Sequence, residues 1–234
     1  MDLEEGNIRA RWGLIEIVLV YLGIFIVTNL VGYYSMRSLW VQGRPLLQFT
    51  LVAGVQFMIT IALVIIFTLV SKQASWKDLG VTKASARDLL VYGGGAGLGL
   101  LLLMLALSWP LSKLHPNIAP QLFETMLRSA DNGWTFVLLF LMGAVLAPVS
   151  EEMFYRAMIY PYLRGVLGKT WGIVLAGAIF GLAHWDLWRA LPLAVGGSIL
   201  CYLYEKTGSI LVPITAHGVW NGVMSWLVFI KIPV

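Results

Sequence analysis

Charge is what this sequence has least of. Only 12% of its 234 residues are Asp, Glu, Lys or Arg, against about 25% in an average soluble domain, too little to build a water-facing shell. Lipid has to take the place of water. Cysteine is nearly absent as well: Cys201 stands alone in an apolar stretch, so neither an intrachain disulfide nor a cysteine metal cage can form. The basic residues are not clustered, which excludes the electrostatic footprint of nucleic-acid binding. The metalloprotease signature H-E-x-x-H and the serine-hydrolase signature G-x-S-x-G are both missing. Ser198, in Gly196-Gly197-Ser198-Ile199, is too generic to replace the latter. Tandem repeats and low-complexity tracts are also lacking.

What the chain does have is hydrophobic length. Some 59% of it is hydrophobic, and a helix crossing the hydrocarbon core needs roughly 20 mainly apolar residues. Runs at Gly13–Tyr34, Leu46–Val70, Leu89–Trp109, Trp134–Val149, Trp171–Trp185, Leu187–Tyr204 and Ser209–Ile230 predict about seven spans. The expected fold is an all-α, polytopic transmembrane bundle of about seven to eight helices, one integral membrane domain over residues 1–234. The first run follows Asp2, Glu4 and Glu5, is too long for a signal-peptide core and ends without a small-residue cleavage site, so it is expected to be retained.

The net charge of +4 suits loops that meet anionic headgroups, and the bilayer is the expected partner. Lys and Arg in alternate connections total ten on the N-terminal side against six opposite, a bias towards a cytoplasmic N-terminus. Glycines at four-residue spacing, Gly93/Gly97, Gly95/Gly99, Gly177/Gly181 and Gly218/Gly222, let helix backbones approach. The last two pairs flank His184 and His217 and could also admit a substrate backbone.

Ionisable groups inside apolar helices are costly and mark functional sites unless pairing explains them. Glu16 and Glu205 lie near predicted helix ends, where water can solvate them, and His115 beside Pro116 reads as a loop residue. The remaining candidates are Glu151, Glu152, Arg156, His184, His217 and Asn221. Glu152 and Arg156 are i and i+4, the spacing of an intrahelical ion pair. Glu151 is rotated away by one residue and left free for chemistry. The plainer alternative is that both glutamates cap a helix start after Pro148 and Ser150. His217 and Asn221 are also i and i+4, although polar pairs of this kind also hold membrane helices together.

Together these groups offer what peptide hydrolysis needs: a carboxylate and an imidazole to orient and deprotonate water, and donors for the developing oxyanion. Two histidines and a glutamate could instead bind zinc with one position open. A spare asparagine, and the want of a second carboxylate to orient either histidine, lean away from metal. No cofactor is therefore expected, with zinc as the alternative.

Glu151-Glu152-Met153-Phe154-Tyr155-Arg156 resembles an E-E-x-x-x-R motif, Phe180-Gly181-Leu182-Ala183-His184 an F-x-x-x-H motif, and His217-Gly218-Val219-Trp220-Asn221 an H-x-x-x-N motif. In this order, in apolar helices between about residues 145 and 225, they are similar to the type II CAAX prenyl endopeptidases and their prokaryotic relatives, the CPBP or Abi family. Upstream, Trp76-Lys77-Asp78-Leu79-Gly80 resembles a connection found ahead of the membrane core in bacterial members. The resemblance implies a metal-independent glutamic intramembrane protease in a prokaryotic cell membrane. Its substrate would be a membrane-associated protein or peptide, prenylated in part of the family. It further implies Glu151 as general base, His184 as the group positioning and activating water, and His217 with Asn221 as the oxyanion hole. Glu152, Arg156 and Phe180 would support the site. The same fold also occurs in scaffold and bacteriocin-immunity proteins, the alternative function.

Overall fold

The computed structural model describes residues 10–115 and 119–232. Asp2, Glu4, Glu5, Arg9 and Pro116 lie outside them. The described chain is helical throughout, without strands, and folds into α1 (Leu14–Arg37), α2 (Pro45–Val70), α3 (86–114), α4 (Leu122–Arg128), α5 (133–167), α6 (169–182), α7 (Leu187–Thr207) and α8 (Leu211–Phe229). Five helical stretches are long and apolar enough to cross a membrane, so the molecule is an integral multi-pass bundle. Two of the seven expected spans share one of these stretches. The fourth apolar run does not end at Val149, because its helix continues through the glutamates to residue 167. It stops at Gly168, whose φ of 77° is a left-handed conformation that costs glycine little. α8 is not among the five, since His217 and Asn221 dilute its hydropathy.

One end of the bundle is tied by the connection between α2 and α3. Leu79 is fully buried, and Gly80, at φ 70°, lies flat against the Tyr204 ring, where any side chain would collide. Gly80 O accepts from Ile210 N–H at 2.8 Å, and Thr82 exchanges hydrogen bonds with Gly208 and Ser209. Glu16 meets Lys72 at 2.7 Å, and Arg11 meets Asp78.

Glu205 belongs to this end too, but water does not solvate it as the sequence suggests. Its side chain is 7% exposed and takes two hydrogen bonds from Arg164, at 2.9 and 3.0 Å, and one from Tyr160 at 2.7 Å. A carboxylate this buried needs partners, and α5 supplies them from 41 and 45 residues away.

The small residues turn out to be packing surfaces. Gly97 admits the Ala216 carbonyl of α8, and Gly177 and Gly181 bring α6 against Ala190, Ala194 and Ser198 of α7. Gly218 lies against the Ala144 carbonyl, at 2.6 Å from where its Cβ would stand. The glycines near both histidines are therefore filled by neighbouring helices, which leaves no room there for a substrate backbone. Gly99, by contrast, faces open space.

Candidate active site

α5 is the central element, and it is not a regular α-helix. Its hydrogen bonds widen to i→i+5 over Met142–Leu146 and again over Met153–Ile159, a distortion that recurs at functional sites. Between them lies the α-helical segment Ala147–Glu152. In the first wide turn Ala147 N–H reaches Met142 O, so the next donor in register would be position 148, bonding Gly143 O. That position is proline and has no N–H. Gly143 O instead accepts from Asn221 Nδ2 at 3.1 Å, which joins α8 to α5 through the carbonyl that Pro148 leaves free. Ser150, Glu151 and Glu152 are thus in mid-helix, and the reading of a capped helix start does not hold.

From this segment the two glutamates diverge. Glu152 has no exposed surface. Its Oε1 accepts from Arg156 Nη1 at 2.9 Å, within the i, i+4 spacing, and from His217 Nδ1 at 2.8 Å. Arg156, equally buried, donates through Nη2 to Gly197 O of α7 at 3.0 Å and lies 4.6 Å over the Phe180 ring. Glu151 turns the other way, towards a cavity, with 29% of its side chain exposed and Oε2 at 3.8 Å from His217 Nε2.

Sequence reasoning missed the Glu152–His217 contact. It joins residues 65 positions apart, and it supplies the orienting carboxylate that the motifs alone do not show. Both histidines are held by Nδ1. His184 Nδ1 is 2.8 Å from Phe180 O one turn back, and a carbonyl only accepts, so Nδ1 carries the hydrogen. The same logic applies to His217 against a carboxylate that also takes an arginine. In the neutral ring the Nε2 lone pair then faces away from these partners. His217 is 3% exposed, stacked on Trp220, with the Phe180 ring edge-on.

Glu151, Phe180, His184, His217 and Asn221 all line one cavity of about 680 Å³, within the range of ligand sites. Its walls are Phe49 and Phe57 of α2, Met104 and Leu105 of α3 and Met224 of α8, among others. Its mouth is polar: Gln121 just before α4, Glu124 and Arg128 of α4, and Arg189 of α7. Arg128 pairs with Glu124 at 2.8 Å, and Arg189 pairs with Asp186 and donates to Ala119 O. His115 is not a simple loop residue, for it stacks on Trp188 at the end of α3 and lines the same mouth. All three histidines of the chain therefore face one cavity.

Zinc would need several of these groups at once. Among the described residues no three His, Cys, Asp or Glu side chains come together as a metal site.

Residues 133–223, which hold this constellation, match the family model of the type II CAAX prenyl endopeptidase Rce1-like proteins. Through these residues the chain is similar to the Rce1-like proteins. The Rce1-like segment runs from the first residue of α5 into α8 and so contains Glu151, Glu152, Arg156, Phe180, His184, His217 and Asn221. A protein of Bacillus subtilis (strain 168) whose name describes a membrane peptidase, YdiL, is 30% identical over 84 residues, 36% of this chain and 34% of that protein. The match thus spans about a third of the curated relative. No solved structure matches the chain significantly. α2 to α4, which supply one wall and the mouth of the cavity, and α1 as well, lie outside the matched segment.

Proposed function

We propose that this protein is an intramembrane endopeptidase that hydrolyses a peptide bond in a membrane-associated protein or peptide, with Glu151 as the general base. One observation carries the reading: a carboxylate left free of its neighbour's ion pair faces a cavity together with two imidazoles and a carboxamide. A catalytic base must reach its proton within a hydrogen bond or through one water. Glu151 and the open Nε2 of His184 both face the space where such a water would lie. Asn221 spends one amide hydrogen on Gly143 O and keeps the other for an oxyanion, with His217 its partner by resemblance to the family. No step in this scheme calls for a metal. The apolar walls suit a substrate carrying an isoprenoid or other hydrocarbon chain, and the polar mouth suits its peptide part. The bacterial relative agrees with a prokaryotic cell membrane as the setting.

The test uses purified protein in detergent and a peptide reporter, with and without a C-terminal farnesyl group. Glu151→Gln is expected to lower cleavage by about 10²–10⁴-fold with an unchanged melting temperature, and the farnesylated reporter to be cut faster. Chelators are expected to leave the wild-type rate alone. Full activity in Glu151→Gln refutes the role of that residue, and loss to a chelator restored by zinc refutes the metal-free scheme.

A further inference from the structure

Pro148 is the kind of residue that the interior of a helix tolerates least, and it stands one turn ahead of Glu152. We propose that it is a positioning residue for the oxyanion donor: having no N–H to give Gly143 O, it reserves that carbonyl for Asn221 and so aims the Asn221 amide. This rests on the endopeptidase reading of the same cavity and adds a residue to it.

A proline inside a helix removes one hydrogen bond and strands a carbonyl, and in lipid a stranded carbonyl must find another donor. Any hydroxyl or amide nearby could serve. The donor is Asn221 Nδ2 at 3.1 Å, 78 positions away, on the helix that also carries His217. A carbonyl only accepts, so this contact decides which end of the carboxamide faces α5. The NH2 end lies at Gly143. Because its two hydrogens diverge from one nitrogen, holding the first sets the direction of the second, the one left for the substrate.

The surroundings leave this pair little freedom. Gly143 has no side chain, and the Phe123 ring of α4 lies where one would be. On the next residue, the Ala144 carbonyl lies against Gly218 of α8 and its methyl against Gly222. Met142, Gly143 and Ala147 line the cavity together with Asn221, whereas Pro148 is buried and stands off that lining. It can reach the reaction only through the carbonyl it leaves open. A residue with an N–H at 148 closes the wide turn on itself: Ala147 N–H already bonds Met142 O in the i→i+5 pattern, and the next bond of that pattern ends on Gly143 O. Asn221 then has a competitor for its anchor, and its amide is free to turn.

The proline ring and the missing N–H can be separated chemically. Position 148 is filled with alanine or, by nonsense suppression, with the α-hydroxy acid of the same side chain, which puts an ester where the amide was and again has no N–H. The full chain in detergent is assayed for kcat and KM on the peptide reporter. Pro148→Ala is expected to lose up to about 10²-fold in kcat, the scale of a misplaced catalytic group, with KM changed by less than about twofold. The ester is expected to recover to within about threefold of the wild type, since the carbonyl is free again. Asn221→Ala should lose about 10²–10³-fold. Adding Pro148→Ala to it should cost less than about twofold more, because no amide is left to aim.

Equal losses in the alanine and ester variants trace the effect to the ring and overturn the role. So does a double variant whose loss is the product of the two single ones. The same comparison is made with valine, nearer to proline in bulk, and its α-hydroxy acid. If neither amide variant folds, Pro148 belongs to the fold alone and the role is overturned. A wild type that cleaves nothing overturns the endopeptidase reading and this role together, whereas an active wild type with an unimpaired Pro148→Ala overturns only the role.

Discussion

Arg156 is a guanidinium with no exposed surface, and it meets a carboxylate, a backbone carbonyl and an aromatic face at once. Removing one member of a buried ion pair strands the other, at a cost on the order of 3–5 kcal/mol. Arg156→Ala is therefore expected to lower the melting temperature strongly, whereas Glu151→Gln, on a partly exposed side chain, should cost about 1 kcal/mol or less. Equal thermal stability of the two variants would contradict the division of labour between the glutamates. The i, i+4 pair was readable in the sequence because helix geometry alone brings such residues together. The contact from Glu152 to His217 was not, since no local rule relates positions 65 apart. His115 reads as a loop residue in the sequence for a similar reason: a histidine beside proline in a polar stretch carries no sign that Trp188 will stack on it.

At the scale of elements, spacing found the helices but not their joins. Pro148 is a helix-start signal in sequence, and the fourth apolar run ended just past it. The structure tolerates it in mid-helix because the wide turn before it leaves one carbonyl unpaired and α8 provides Asn221 to take it. Apolar periodicity cannot register a wide turn of this kind.

The α2–α3 connection offers a second element-level test. Asp78 accepts from Ser75 N–H at 2.7 Å, from the Ser75 hydroxyl at 2.9 Å, and meets Arg11 at 3.4 Å. The Ser75 backbone bond is the largest influence, and it holds the carboxyl below its ordinary range. A group depressed in the folded state contributes fully above its unfolded value, about 3.9, and that contribution fades as pH falls through the folded one. Trp76, half exposed in the same turn, is expected to report loosening of the connection only in acid below about pH 4. Asp78→Asn should show that looser fluorescence signature already at neutral pH. An unchanged Trp76 signal in this variant counts against the anchor.

For the whole molecule, the two ends of the bundle differ in kind. The N-terminal end is closed by the Gly80–Tyr204 contact, the Glu205 cluster and the tie between Thr82 and Ser209. No residue of that end lines the cavity, whose described lining runs from Glu151 and His217 to α4 and the α6–α7 junction at the other end. α6 has only 14 residues, about 21 Å of helix, against roughly 30 Å of hydrocarbon. A helix that short does not cross the hydrocarbon alone, and at its junction with α7 the charges of Asp186 and Arg189 are paired with one another, as charges beside lipid need to be.

Sidedness follows from that short helix. In sealed vesicles a reporter too polar to cross lipid meets only those molecules whose α4 faces the same compartment. Proteoliposomes of mixed orientation should then show about half of their activity as latent, released when detergent breaks the membrane. Activity that is complete before lysis would mean that the catalytic water is reached from both faces.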